Sequence, residues 1–170
     1  MADMNVIETF KDHLQTYTED QLRYKPAEDC WSLGQMYSHL IDVSLEYLEN
    51  IETCAKSDRE QPLGKTQAGE LVFNLGAFPP IKIKLPDLPG NTPSNTDSIM
   101  ALTSGLEQIQ KMMRDWTDKV STVNPNYKVQ HKGFGWLNTQ EWYELITMHF
   151  LHHLRQKEEL EQALRIKHMN

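Results

Sequence analysis

Apolar residues recur at spacings of three and four along four long segments of this chain, and this periodicity is the strongest constraint on its fold. That spacing places apolar side chains on one face of an α-helix. The segments span about residues 4–20, 32–58, 97–120 and 138–166. With no strong strand pattern elsewhere, four amphipathic helices predict an all-α, up-down four-helix bundle.

The start of the second helix has the clearest local signal. Ser32 is a favourable N-cap residue, and Gln35 three positions later completes a capping-box pattern. An apolar stripe then continues to Ile51, and the helix is expected to end near residues 56–58. The last helix is expected to start at Asn138 or Thr139.

A long irregular connection, residues 59–97, separates the second helix from the third. Within it, residues 67–75 are compatible with a short helix, and residues 81–85 alternate as an extended segment does. Three prolines and a glycine then prevent a regular helix. A connection of this length often covers a functional site, but a simple crossover between helices is an equal alternative.

Composition limits the class of protein. A length of 170 residues fits one domain with its own hydrophobic core. The net charge of −7 and the lack of a basic cluster argue against nucleic acid as a partner. No apolar run approaches the roughly 20 residues of a membrane-spanning helix, and the N-terminus does not resemble a signal peptide, so a cytoplasmic location is expected. Cys30 and Cys54 form no CxxC pattern and are expected to be structural.

Two histidines on the fourth helix suggest a metal site. His149 and His153 are one turn apart, and both fall inside the apolar stripe. Buried imidazoles need partners for their nitrogen atoms, and one metal ion satisfies two rings at once. A pair of hydrogen-bonded core histidines is the alternative. His152 falls at the edge of the stripe and is not expected to be a ligand.

A two-histidine site is incomplete, because most metal centres have three or more protein ligands. His39, on the second helix, is a candidate for the third. Helical periodicity places it on the flank of the stripe beside Val43 and Glu46, so periodicity alone makes it a boundary residue. The remaining histidines, His13, His131 and His168, have weaker claims.

Three motifs resemble those of DinB-like proteins. Residues 31–39 (WSLGQMYSH) resemble the second-helix signature, in which a Trp-Ser opening leads to a ligand histidine. Residues 149–156 (HFLHHLRQ) resemble the fourth-helix signature, with two ligand histidines four apart and a following glutamine. Residues 134–142 (FGWLNTQEW) resemble the lead-in to that helix in an uncharacterised branch of the superfamily. The segment from 59 to 95 has no such match.

The resemblance implies a four-helix bundle, often a homodimer, with a three-histidine site for Zn2+, Ni2+ or a similar divalent ion. Carried over residue by residue, it makes His39, His149 and His153 the ligands. Characterised members of the family include thiol-dependent transferases and isomerases. Fold and family do not determine the reaction by themselves.

The expected function is that of a metal-dependent enzyme acting on a small molecule, with transfer to or from a low-molecular-weight thiol as the leading reaction. A metal-dependent hydrolase and a non-catalytic metal-binding or sensing bundle are the alternatives. Glu46 is a candidate base or orienting group, although a solvated helix charge is the simpler interpretation. The residues expected near the pocket mouth are His131, Trp136, Trp142 and His152.

Overall fold

The computed structural model describes residues 5–79 and 92–169, with side chains to residue 165. The described chain contains six α-helices: α1 (Asn5–Leu14), α2 (Glu19–Arg23), α3 (Leu33–Lys56), α4 (Gln67–Leu75), α5 (Ile99–Thr117) and α6 (Thr139–Met169). It also contains two short strands, β1 (Lys128–His131) and β2 (Gly135–Asn138). None of these helices combines the length and the apolar composition needed to cross a membrane.

Four of the helices form the bundle predicted from the periodicity. Helix α3 packs against α5 and α6, and α1 packs against the same two helices, so that α1 and α3 are diagonal to each other. One hydrophobic core lies between them, in which Phe10, Tyr37, Leu106 and Phe150 are fully buried. Edge-to-face contacts of the Phe10 ring with the rings of Tyr37 and Phe150 join three of the four helices.

Helices α3 and α5 start at the same end of the bundle. Ser32, the N-cap of α3, donates its hydroxyl proton to the Asn95 side chain at 2.5 Å. Asn95 lies three residues before Ser98, the N-cap of α5. The two helices therefore run in parallel, whereas the predicted up-down order would make these successive bundle helices antiparallel. Since α3 has 24 residues, about 36 Å of helix, the connection must return the chain over that length.

The first predicted helix is two helices in the structure. The prediction of one helix over residues 4–20 was wrong, because α1 ends at Leu14 and α2 begins at Glu19. Thr18 forms a capping box with Gln21, which starts a new helix where a continuous one was expected. The third predicted helix, residues 97–120, corresponds to α5, which ends earlier, at Thr117. Val120 lies in a 3-10 turn beyond it.

The other helix predictions agree with the structure. Ser32 and Gln35 form the expected capping box at the start of α3. Helix α4 covers the predicted residues 67–75, is capped by Thr66 and ends at Gly76 in the left-handed conformation. The expected extended segment, residues 81–85, lies outside the described residues.

A small antiparallel hairpin was missed from the sequence. Strands β1 and β2 have four residues each and pair Lys128 with Asn138 and His131 with Gly135. Helix α4 packs tightly on the turn, since a Cβ atom at Gly69 would lie 2.2 Å from the Phe134 carbonyl oxygen. The long connection is thus fixed to the hairpin that leads into α6.

Replacing Ser32 by Ala should lower the free energy of unfolding by about 1–2 kcal/mol, because both the α3 cap and the hydrogen bond to Asn95 are lost. Urea unfolding of the metal-free protein measures the change. Thr53→Ala is the matched control, since this exposed residue of α3 bonds only within its own helix; its effect should stay within about 0.5 kcal/mol. An equally small effect at Ser32 would contradict the assigned cap.

Candidate metal centre

Helices α3 and α6 bring three imidazole rings together. His149 and His153, one turn apart on α6, have Nε2 atoms 3.1 Å from each other. His39 projects from α3, and its Nε2 atom lies 3.2 Å from that of His149. One nitrogen atom from each ring lies within 4.8 Å of the other two. The flank position of His39 therefore faces α6.

These contacts fit a bound cation better than hydrogen bonds among the rings. In the ring plane, His149 Nε2 carries either one lone pair or one N–H, so it can satisfy one of its two neighbours. A cation accepts the lone pairs of all three nitrogens at once. Nitrogen atoms each about 2.0–2.1 Å from one ion are separated by roughly 3.3–3.4 Å at tetrahedral angles, and the separations of 3.1 and 3.2 Å are close to this.

Burial keeps the three rings neutral and their lone pairs available. Desolvation, with smaller effects from neighbouring histidines, lowers the pKa of His39 to about 4. Desolvation is also the largest cause for His149, whose pKa lies well below its ordinary value of 6.5. The pKa of His153 is lowered by burial as well, partly offset by its hydrogen bond to Gln156. Metal ligation requires neutral imidazole, so the site is prepared at neutral pH.

The Nδ1 atoms of the two α6 histidines, which are not part of the cluster, differ in their hydrogen bonds. His153 Nδ1 lies 2.6 Å from Gln156 Oε1. The amide oxygen accepts the Nδ1 proton, which leaves the lone pair on Nε2, directed at the cluster. His149 Nδ1 is buried and has no hydrogen-bond partner among the described residues.

His152 lies outside the cluster. Its ring is half-buried and contacts the rings of His153, at 5.2 Å between centroids, and Phe78, at 5.4 Å. The group of potential ligand atoms found in the described part of the chain does not include it. This position is consistent with the prediction that His152 is not a ligand.

His131, on the hairpin, lies close enough to His149 to contribute to the lowering of its pKa. Two backbone N–H groups, of Gly133 and Phe134, donate to His131 Nδ1 at 3.0 and 3.1 Å, so the ring proton is on Nε2. The His131 ring centroid is 5.5 Å from that of Trp142. Trp136 lies on β2, and no ring contact to the histidines is found for it in the described structure.

Two residues near the site were missed by sequence reasoning. The Tyr47 ring is tilted against the Trp142 ring, with 5.3 Å between their centroids, and its centroid lies 6.1 Å from that of His149. Phe78 is 6.0 Å from the same ring. Tyr47 could have been found, because it is eight residues after His39 on the same helix. Phe78 follows α4 in the irregular connection, where no periodicity predicts its position.

A surface groove of about 380 Å³ borders the cluster at His39. Glu46 lines it and is exposed, as is Asp42 one turn closer to His39. A larger depression, of about 500 Å³, lies between α5 and the end of α1, and none of the three clustered histidines lines it. The groove at His39 is therefore the one relevant to the candidate site.

A family model for the DinB superfamily matches residues 5–156, which include all three clustered histidines. The chain belongs to the DinB superfamily. No curated protein and no solved structure matches it. Membership confirms the family resemblance and is consistent with the bundle fold. The geometry of this DinB-superfamily chain adds a cluster able to hold a metal ion, formed by the three histidines that the family motifs designate.

The ligand assignment can be tested by substitution. His39→Ala should reduce metal affinity by far more than tenfold, because two imidazoles remain, while helical circular dichroism is unchanged. Unfolding of the metal-free variant should change by about 1 kcal/mol or less, since His39 is at the margin of the core. His152→Ala is the matched control and should stay within about tenfold of wild type. Loss of binding in His152→Ala but not in His39→Ala would reverse the assignment.

Gln156→Ala should weaken metal binding by about 10–100-fold, the range for the loss of a partner that orients a ligand. Competition with a chromophoric chelator measures the affinity. Gln162→Ala, an exposed change on the same helix, should have no effect. Equal affinities of the two variants would show that Gln156 does not orient His153.

Proposed function

We propose that this protein is a divalent-metal-dependent enzyme that transfers a low-molecular-weight thiol to or from an electrophilic small molecule. The observation that carries the proposal is the convergence of three neutral Nε2 atoms, 3.1 and 3.2 Å apart, from His39, His149 and His153. Membership of the DinB superfamily supports it, because the resemblance implies thiol-dependent chemistry at such a site.

When bound, a divalent ion would lower the pKa of a thiol, or of water, and so supply a nucleophile at neutral pH. The chain's own residues hold and orient it. His39, His149 and His153 provide the ligands, and Gln156 fixes the tautomer of His153. Neutral imidazoles leave the positive charge of the ion uncompensated. They suit Zn2+ and Ni2+ equally, so the proposal covers both.

Access to the site is asymmetric. His149 is buried, with the rings of Tyr47 and Phe78 near it, so solvent is excluded on that side. His39 is half-buried and lines the groove. The substrate would therefore approach along the groove. In the proposed reaction, Glu46, which also lines the groove, would accept the proton that a thiol loses; a solvated helix charge is the simpler interpretation.

Two alternative functions use the same residues. In a metal-dependent hydrolase, Glu46 would act as general base toward water. The presence of this carboxylate in the groove supports the hydrolase alternative. A non-catalytic metal-binding or sensing bundle would need a closed site with four ligands. Among the described residues the cluster has three. The expected homodimer and cytosolic location stay predictions.

Metal content and reaction type test the proposal together. Protein exposed to Zn2+ or Ni2+ and desalted should contain about one ion per chain by elemental analysis. The loaded protein should accelerate conjugation of a simple thiol with an electrophile such as 1-chloro-2,4-dinitrobenzene, forming the carbon–sulfur bond as chloride leaves. His149→Ala should remove metal and activity together, and Gln162→Ala neither.

Metal content near zero in folded wild-type protein would overturn the proposal. Ester cleavage by the loaded protein without any need for thiol would favour the hydrolase. A bound ion with neither activity, across several thiols and electrophiles, would favour the non-catalytic bundle.

A further inference from the structure

The groove beside His39 has a chemical character of its own. One wall is formed by α3 residues at and beyond His39, and the other by residues 92–94. A volume of about 380 Å³ is in the range that holds a small molecule. His39 belongs both to this wall and to the three-histidine cluster, so a ligand in the groove also reaches the candidate metal site.

Two carboxylates line the groove. Asp42 and Glu46 are four residues apart on α3 and both line it. Neither forms an ion pair with a residue that the structure describes, and no described lysine or arginine lines the groove. Burial, and then the charge of nearby Asp97, raise the pKa of Asp42, so a cation placed there would be favourable.

The two carboxylates lie near the candidate centre but do not belong to its ligand set. The group of potential ligand atoms within 4.8 Å of one another contains the three histidines and neither Asp42 nor Glu46. Along α3 these residues follow His39 by three and seven positions, about 4.5 and 10.5 Å. They are thus placed to contact the part of a substrate that extends from the ion's site.

We infer that the groove binds the ammonium group of an aminothiol, with Asp42 and Glu46 as the residues that recognise the positive charge. This inference rests on the proposed function, because it concerns the thiol that binds at the metal centre. The sulfur would bind to the ion that the three histidines would hold, and the ammonium group would lie along α3 between the two carboxylates.

Cobalt-loaded protein allows a test of binding that does not depend on turnover. Four thiols with the same two-carbon spacing differ in charge: cysteamine and thiocholine are cationic, 2-mercaptoethanol is neutral and 3-mercaptopropionate is anionic. Thiocholine has a quaternary nitrogen that cannot coordinate cobalt, so it separates charge from chelation. Sulfur-to-cobalt charge-transfer absorption during anaerobic titration gives each dissociation constant.

The cationic thiols should bind about tenfold more tightly than 2-mercaptoethanol at low ionic strength, the effect of two partly exposed charge pairs. The anionic thiol should bind most weakly. The preference for thiocholine should shrink to about twofold or less in 1 M salt, because exposed charges are screened there.

Asp42→Asn combined with Glu46→Gln should remove the preference for the cationic thiols over 2-mercaptoethanol. Glu52→Gln, an exposed carboxylate of α3 outside the groove, is the matched control and should keep it. The cobalt absorption of each variant verifies loading. If the double variant does not bind cobalt, the salt dependence of thiocholine binding to the wild type tests whether the groove recognises the positive charge.

The other possible outcomes would each contradict the inference or the proposed function. Equal binding of all four thiols by the wild type, or a preference that the double variant keeps, would overturn the inference and leave the proposed function in place. Equal weakening of all thiols in the double variant would also overturn it, since the carboxylates would then act only on the ion. Bound cobalt with no thiol binding at all would overturn the proposed function, and this inference with it.

Discussion

The contact between α3 and α6 holds three neutral imidazoles against one another, and the candidate site depends on it. His39 comes from one helix, and His149 and His153 from the other. Placing uncharged polar rings in a core costs free energy unless each nitrogen finds a partner. Here the rings converge on a single point, and burial itself keeps them unprotonated. The packing of two helices therefore sets both the geometry and the protonation state of the cluster.

The order of the helices explains why the groove exists. Because α3 and α5 are parallel, the chain between them must travel the length of the bundle and return to the start of α3, where Asn95 bonds to Ser32. Phe78, on the way, contacts His149, and residues 92–94 form one wall of the groove at His39. The two interpretations of the long connection, a crossover and a cover for a site, both apply.

Local signals in the sequence predicted much of this structure. The Ser32 cap and the one-turn spacing of His149 and His153 depend only on residues close together in the sequence, so the sequence alone could predict them. The orientation of His39 could not, since it depends on how α3 is rotated against α6; the family motif supplied it. The break at Thr18 was hidden because the apolar stripe continues across it. The hairpin was missed because four-residue strands carry too little alternation.

Helix α6 has polar side chains in the central turns that pack inside the bundle. Its ends bury apolar residues, but its central turns bury His149 and Lys157 beside Phe150, and His153 is half-buried there. Lys157 is 1% exposed, donates to Glu161 Oε1 at 2.6 Å and lies 5.6 Å from the Phe10 ring. The helix thus presents imidazoles to α3 and an ion-paired ammonium to α1. Apolar residues of similar volume are often as stabilising as a buried ion pair. Stability alone therefore does not explain the polar residues in the middle of α6, two of which, His149 and His153, belong to the candidate site.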